Sequence, residues 1–387
     1  MNKAAKLLIV LVILALLSGC WSQFELPDRG FVMGVALDEG KNGKIEMTTQ
    51  VYRPQPAHGG HDLPSSGNGT AGLNITTTDT TVMEAVRDIP IHLGRKAQWS
   101  HMRVIVIGEQ LARSVNMGEL LDFFYRDHEP RVTVSLMIAK GRAGEMLNKQ
   151  PIIEQTMGQQ LLSAKKFAAS ASAKTIDTTL LKWVLQSLSA HNDSYISYVY
   201  ENKDNKDVFS AAGLALFKGG KLAIIMSPKK TEGLVMLRNE YDDGVIQLPC
   251  DSPSKEMETL EIINLQTKIK THIKGDQITV HVKAQGDGAI GELKCTSIKN
   301  KEEEAVFIHK VEEAIKTKIR NTVHYLQKNK IDVIGIGNLI YRKHPKQWKN
   351  LSNGWDDTFA EIPFNVEVKL RLVTGGTVIS KPVTSEP

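Results

Sequence analysis

The chain has 387 residues, 41% of them hydrophobic and 24% charged, with a formal net charge of +5. That length is enough for two or three domains, and a charge so near balance excludes a nucleic-acid binder driven by a basic surface. Three cysteines are too few for a disulfide-rich scaffold.

The N-terminus has the pattern of an export signal. Lys3 and Lys6 precede an apolar run, Leu7 to Leu17, and the small residues Ser18 and Gly19 follow. Eleven apolar residues reach about 16 Å as a helix, roughly half a bilayer core, so this run does not read as a membrane span. Leu17-Ser18-Gly19-Cys20 has the form of a bacterial lipobox. In that reading residues 1–19 are a signal peptide, the chain is cut before Cys20, and its thiol takes a diacylglycerol. Two acyl chains anchor stably where one binds marginally. Loss of Lys3 and Lys6 lowers the net charge from +5 to +3. Beyond Cys20 no apolar run is long enough to cross a membrane. The compartment permits a disulfide between Cys250 and Cys295, but with cysteine so sparse two buried free thiols are the expectation.

Residues 31–54 read as two strands joined by a Gly/Asn turn, and residues 54–72, rich in Pro, Gly, Ser and Asn, as a loop. Thr81 stands three residues before Glu84, a capping box opening a helix that runs to about Arg95. MRVIVIG and RVTVSLMIA predict strands. GEQLARS, GELLDFFYRDHE, QQLLSAKKFAAS and DTTLLKWVLQSLSA predict helices. This alternation to about residue 190 predicts an α/β layer with a covered sheet. The polar stretch 201–207 is the expected main boundary, giving an N-terminal domain over 20–205 and a C-terminal one over 206–387, the latter with a further division near 206–260.

In the C-terminal part AAGLALFKGGKLAIIM predicts a hairpin turning on Gly219-Gly220, TEGLVMLRNE a short helix, and VIQLP a strand. THIKGDQITVHVKAQ and AIGELKCTSIKN read as paired strands. A long helix spans 302–330 with Ile308, Val311, Ile315, Ile319, Val323 and Leu326 on one face. Strict alternation from Ile362 to Leu372 predicts a strand with one face wet. The fold class is therefore mixed α+β, with mixed sheets covered by helices in the first part and antiparallel strands with one long helix in the second.

Several motifs suggest chemistry and yield to simpler readings. Gly286, Gly288 and Gly291 fit G-x-G-x-x-G, but a dinucleotide site needs a helix at the third glycine. Here ELKCTSI alternates like a strand, so the glycines read as a hairpin turn. His58, His61 and Asp62 lie in the Gly/Pro loop without a third strong ligand, so no metal site is read there. DEGKNG lacks the ligands of an EF-hand and reads as a turn. Ser100 and His101, with Asp127, His128 and Glu129, resemble catalytic parts, yet an adjacent Ser and His are poorly placed as nucleophile and base. They read as a polar cluster at element ends. YRKHPKQWKN could meet anionic headgroups, though a solvated loop explains it more simply. No cofactor motif is present.

Taken in order, GCW, DRGFVMGVALD, WSHMRVIVIGEQLAR, LLDFFYRDHEPR, AAGLALFKGGKL and IDVIGIGNLIYRKHPKQWKN resemble the Ger(x)C family, the C subunits of nutrient germinant receptors in bacterial spores. The resemblance runs from Cys20 to about residue 375. It implies a three-domain mixed α/β lipoprotein on the outer face of the inner spore membrane, without catalytic activity, acting with integral-membrane A and B subunits. Cys20 carries over as the lipidated residue. Asp28, Arg29, Gly30, Trp99, His101, Arg126, Asp127, Glu129 and Arg131 also match family blocks, with structural or subunit-contact roles implied. Two other classes compete: a lipid-anchored solute-binding protein of an importer, and an exported enzyme built around Ser100, His101 or Asp127. The first should show two doubly wound lobes, and the second a motif with catalytic mechanics.

Overall fold

The computed structural model describes residues 3–5, 25–53, 71–202, 204–205, 208–250, 256–275 and 277–374. Cys20 and the loop bearing His58, His61 and Asp62 lie outside them. Among the described residues no helix is long and apolar enough to cross a membrane.

The first sheet contains β1 (Arg29–Glu39), β2 (Ile45–Tyr52), β3 (Gly72–Asp79), β4 (Lys96–Gln98), β5 (Val104–Gly108), β6 (Ser135–Ala139), β7 (Ser194–Glu201), β8 (Phe209–Lys218) and β9 (Lys221–Met226). Its order is β3-β2-β1-β5-β6-β7-β8-β9, with β4 beside the start of β1. β1, β5, β6 and β7 are parallel, and antiparallel hairpins flank them. Parallel strands need both faces covered, and every residue of β5 and β6 is buried.

The covering helices are α1 (Val82–Leu93), α2 (Glu109–Ser114), α3 (Met117–Arg126), α4 (Ala143–Leu147), α5 (Met157–Ser172) and α6 (Leu180–Ser187). One face packs Val35, Leu37, Ile105 and Ile107 with Ile89, Leu121, Phe124 and Trp183 from α1, α3 and α6. The other packs Val104, Val106 and Met137 with Leu147, Met157 and Leu161 from α4 and α5. The capping box is present: the Glu84 amide donates to Thr81 Oγ1 at 3.2 Å, and Gly94, at φ +64°, ends α1. Residues 41–43 form the expected turn.

The chain then forms α7 (Pro228–Leu237), β10 (Gly244–Pro249), β11 (Met257–Lys274), β12 (Gln277–Glu292), α8 (Lys301–Lys328), α9 (Ile336–Lys343), α10 (Pro345–Leu351), α11 (Trp355–Glu361) and β13 (Phe364–Thr374). The second sheet has the order β10-β11-β12-β13, antiparallel except that β13 runs parallel to β12. Its inner face packs on α8, and all six residues of the helical stripe read from the sequence are buried. Asn300 caps α8 by accepting from the Glu303 amide at 2.8 Å. The same core takes in Leu214, Leu216 and Met226 of the first sheet. β7 and β8, on either side of the polar stretch 201–207, pair in that one sheet.

Three expectations are corrected. Gly286, Gly288 and Gly291 do not form a hairpin turn; they lie within β12. The register of β11 shifts between Ile262 and Asn264, and a Cβ on Gly286 would stand 2.1 Å from the Asn264 carbonyl oxygen. Glycine is required by this close approach, not by a reversal of the chain. The strand pairing also differs: β12 pairs with β11 through a turn at Gly275, and residues 293–300 are irregular. Finally, Cys250 and Cys295 are not free thiols. They form a disulfide, with Cα atoms 6.0 Å apart. β10 and β12 flank the same end of β11, which brings together cysteines 45 residues apart.

Candidate functional site

The residues singled out by the sequence converge on one end of the first sheet, where β1 begins. Parallel pairing sets Arg29 opposite Lys96 and Phe31 opposite Gln98. Arg29 Nη1 donates to Gln98 Oε1 at 2.6 Å, and Gln98 Nε2 donates to Ser100 Oγ at 3.1 Å. Ser100 and His101 occupy a 3-10 turn, Trp99–His101, that interrupts the strand between β4 and β5. The His101 ring meets Phe31 edge-on at 5.1 Å. Trp99 is buried with its ring 6.3 Å from Phe123. Asp127 accepts from the Glu129 amide at 2.8 Å, and Lys96 Nζ lies 3.4 Å from Glu129.

Of these groups Lys96, Trp99, Phe123, Asp127 and Glu129 border a shallow cleft of about 310 Å³, which Arg87 also lines. Arg126 is directed elsewhere, into a second cleft with Thr81 and Glu119, where it bonds Asp122 at 2.7 Å. The Tyr125 hydroxyl and Arg126 hold the Asp122 carboxyl below its usual range. Asp28 and Arg131 are exposed at the rim of the sheet. The structure thus gathers Arg29, Trp99, His101, Asp127 and Glu129 and leaves the other three at the margin. Ser100 and His101 serve neighbouring polar and aromatic groups and are not aimed at one another.

Two buried carboxylates explain further family blocks. Asp38, at the far end of β1, accepts from the amides of Ala143 and Gly144, both at 2.8 Å, and so caps α4 from across the sheet. Burial raises its pKa, while those two amides pull it back. A side chain on Gly108 would collide with Asp38 Oδ1 at 2.2 Å, so glycine at that place in IVIG is a packing requirement.

The second carboxylate, Asp332, stands at the junction of the two sheets and was not read from the sequence. It accepts from the amides of Gly335, Ile336 and Gly337 at 2.7–3.0 Å and from Trp355 Nε1 at 3.0 Å. Its own amide donates to Asp193 Oδ2 at 2.8 Å, and His191 Nε2 lies 2.9 Å from the same oxygen. Burial raises the Asp332 carboxyl, opposed by the three amides and by His191. Burial also pulls the His191 imidazole down, but Asp193, Asp332 and Asp356 outweigh it and leave its pKa raised. His191, Asp193 and Asp356 are close enough to suggest a metal site. Their atoms are already engaged, with Asp356 Oδ2 2.6 Å from Lys218 Nζ, so the cluster is a hydrogen-bonded junction. The I-D-V-I-G-I-G spacing was the available signal, because an Asp followed by closely spaced glycines suits a carboxylate receiving successive amides.

Fold and site define a two-sheet mixed α+β protein whose buried carboxylates bind backbone amides. Residues 22–200 match the family described as spore germination protein N-terminal domain, and residues 212–376 match spore germination B3/GerAC like, C-terminal. Spore germination protein B3 of Bacillus subtilis (strain 168) is 26% identical over 98% of this chain and 100% of its own length. Spore germination protein KC of the same organism is 25% identical over 94% of each chain. The crystal structure of the GerBC protein superposes with a TM-score of 0.55 at 21% identity, over 88% of this chain and 97% of that one. The chain belongs to the Ger(x)C family of spore germination proteins.

Proposed function

We propose that the protein is the C-type subunit of a nutrient germinant receptor, anchored by a diacylglycerol on Cys20 to the outer face of the inner spore membrane. It acts without catalysis, alongside integral-membrane A and B subunits, and contributes coupling free energy between partners. Its N-terminal part, about 20–205, and its C-terminal part, 206–387, share the first sheet, to which the latter gives β8 and β9. The observation that carries this reading is the family match over both parts of the chain together with the lipobox at Cys20. The cluster around Arg29, Trp99, His101, Asp127 and Glu129, with Asp28, Arg126 and Arg131 at its margin, begins nine residues after Cys20 and serves as a structural or subunit-contact surface. The importer reading has less support, because the second sheet is antiparallel apart from β13 and is not a doubly wound lobe.

Replacing Cys20 by Ala in the sporulating host tests the proposal. The variant should leave the membrane fraction of the spores, and germination with one nutrient class should fail. Retention in the membrane with intact germination would count against the anchor.

A further inference from the structure

α6 is apolar on both sides. Leu180 and Trp183 are buried in the first core, but Leu185 and Leu188 just beyond are 63% and 79% exposed. Tyr341 of α9 is 49% exposed, and with the two leucines it lines a groove of about 650 Å³. Lys182, Arg238 and Arg342 border that groove with a single carboxylate, Glu240. Glu240 is already held by the Tyr195 hydroxyl at 3.3 Å and lies 3.6 Å from Arg238 and 3.7 Å from Lys182. From Leu339 to Leu351 the chain carries Arg342, Lys343, Lys346 and Lys349, all exposed, and no carboxylate. Trp348, the other aromatic of this run, is 6% exposed and packs 5.2 Å from Trp355. Exposed apolar side chains beside an exposed basic run that contains no carboxylate are the chemistry of a surface that meets anionic headgroups.

The position of this surface in the fold supports the same occupant. The His191 amide donates to Asn338 Oδ1 at 2.9 Å, and Asn338 Nδ2 donates to the His191 carbonyl at 2.8 Å, which fastens α9 to the loop leading into β7. β7 runs parallel to β6, β5 and β1, so that loop and Arg29 lie at the same end of the sheet. β7 is three strands from β1, about 14 Å away. Cys20 precedes Arg29 by nine residues, which span at most about 30 Å. A lipid on Cys20 therefore keeps this end of the sheet within reach of the bilayer.

We infer that Leu185, Leu188, Tyr341, Arg342, Lys343 and Lys346 form a contact for the anionic phospholipid surface, which fixes how the protein lies on its membrane. The inference rests on the anchoring reading for its orientation, and its test separates the two. The mature chain from residue 20, carrying Cys20→Ala so that no acyl chain contributes, is pelleted with vesicles of phosphatidylcholine alone or mixed with phosphatidylglycerol. Binding should favour the mixed vesicles about tenfold or more and fall with added salt, since each cation near such a surface strengthens binding about fivefold. Arg342→Glu with Lys343→Glu should abolish that preference, and Leu188→Ser should weaken binding to both kinds of vesicle. Val306→Asp, at an exposed site on α8, should change nothing. Equal binding to both vesicles, or full binding by the charge-reversed chain, overturns the inference. So does a charge-reversed chain that binds vesicles normally but no longer associates with its membrane partners, because the surface is then a protein contact. Mass spectrometry of the wild-type peptide containing Cys20 reads the anchor separately: absence of the diacylglycerol overturns the anchor and leaves the vesicle result standing.

Discussion

In the first sheet, β5 and β6 bury every residue, whereas in the second, much of β11 and β12 alternates a residue facing α8 with one facing solvent. The first arrangement needs helices on both faces of its parallel strands. The second buries one face only, and its outer face sets Lys268 opposite Lys283 and Lys270 opposite His281. A sheet covered on one side gains less from burial and relies more on ties at its edges. Two such ties stand at the same end of β11. One is the disulfide. The other is Glu258, whose Oε1 accepts from the amides of Lys294, Cys295 and Thr296 at 2.6–3.0 Å and whose Oε2 accepts from the Thr296 hydroxyl at 2.6 Å. Burial alone would raise the Glu258 pKa, but these four donors leave it lowered.

The strongest way to break this contrast is at the junction. Asp332→Ala leaves three amides and the Trp355 indole without their acceptor, and should cost about 4 kcal/mol. Denaturant titration followed by tryptophan fluorescence checks this, and a loss below about 1 kcal/mol would show that the network does not hold the two sheets together. Next is Cys250→Ala with Cys295→Ala. Closing a 45-residue separation is worth about 3–4 kcal/mol. Amide exchange should quicken in β10 to β13 and stay unchanged in β5 and β6. Equal quickening in both sheets would refute the idea that the staple serves the second one.

The third prediction concerns the first sheet's own weak point. Lys165 is fully buried, with Nζ 2.6 Å from Asp177 Oδ1 and donating to the Thr178 carbonyl at 2.8 Å. Burial lowers its pKa to about 8 in spite of Asp177. A base depressed in the fold binds its proton more tightly in the unfolded chain, so the cost is complete below pH 8 and fades as pH rises toward its unfolded value near 10.5. Relative to Lys165→Met, the wild-type protein should gain about 3 kcal/mol between these limits. A pH-independent difference between the two proteins would refute the assignment. The smallest effect belongs to the outer face of the second sheet, where Lys268→Glu replaces a like-charge pair by an opposite one. It should stabilise by about 0.5 kcal/mol, readable as a small rise in Tm that salt removes.

The sequence made local features legible and long-range ones obscure. The Thr81–Glu84 cap, the hairpin at Gly219-Gly220, the buried stripe of α8 and the alternation of β13 all depend on residues close in the chain. β3 and β4 gave no signal, because LNITTTD has few apolar residues and β4 is three residues long. Cysteine frequency does not reveal the disulfide, because it says nothing about which strands share a neighbour. At the candidate site, the blocks containing Arg29, Trp99, His101 and Glu129 were visible, but their convergence depends on the parallel pairing of β1 with β4. The Asp193–Asp332 link joins residues 139 apart, and no pattern within either segment announces it.

β1 has one further consequence. It begins a few residues after the proposed anchor and lies inside its sheet, paired with β2 on one side and with β4 and β5 on the other. A tug from the membrane would run lengthwise along this strand and load both of its ladders in shear, so many hydrogen bonds would share the force at once and none could be peeled singly. If Cys20 is the anchor, the protein would be held through a strand that resists being drawn out, and a displacement at the lipid would reach the sheet as motion of the whole body.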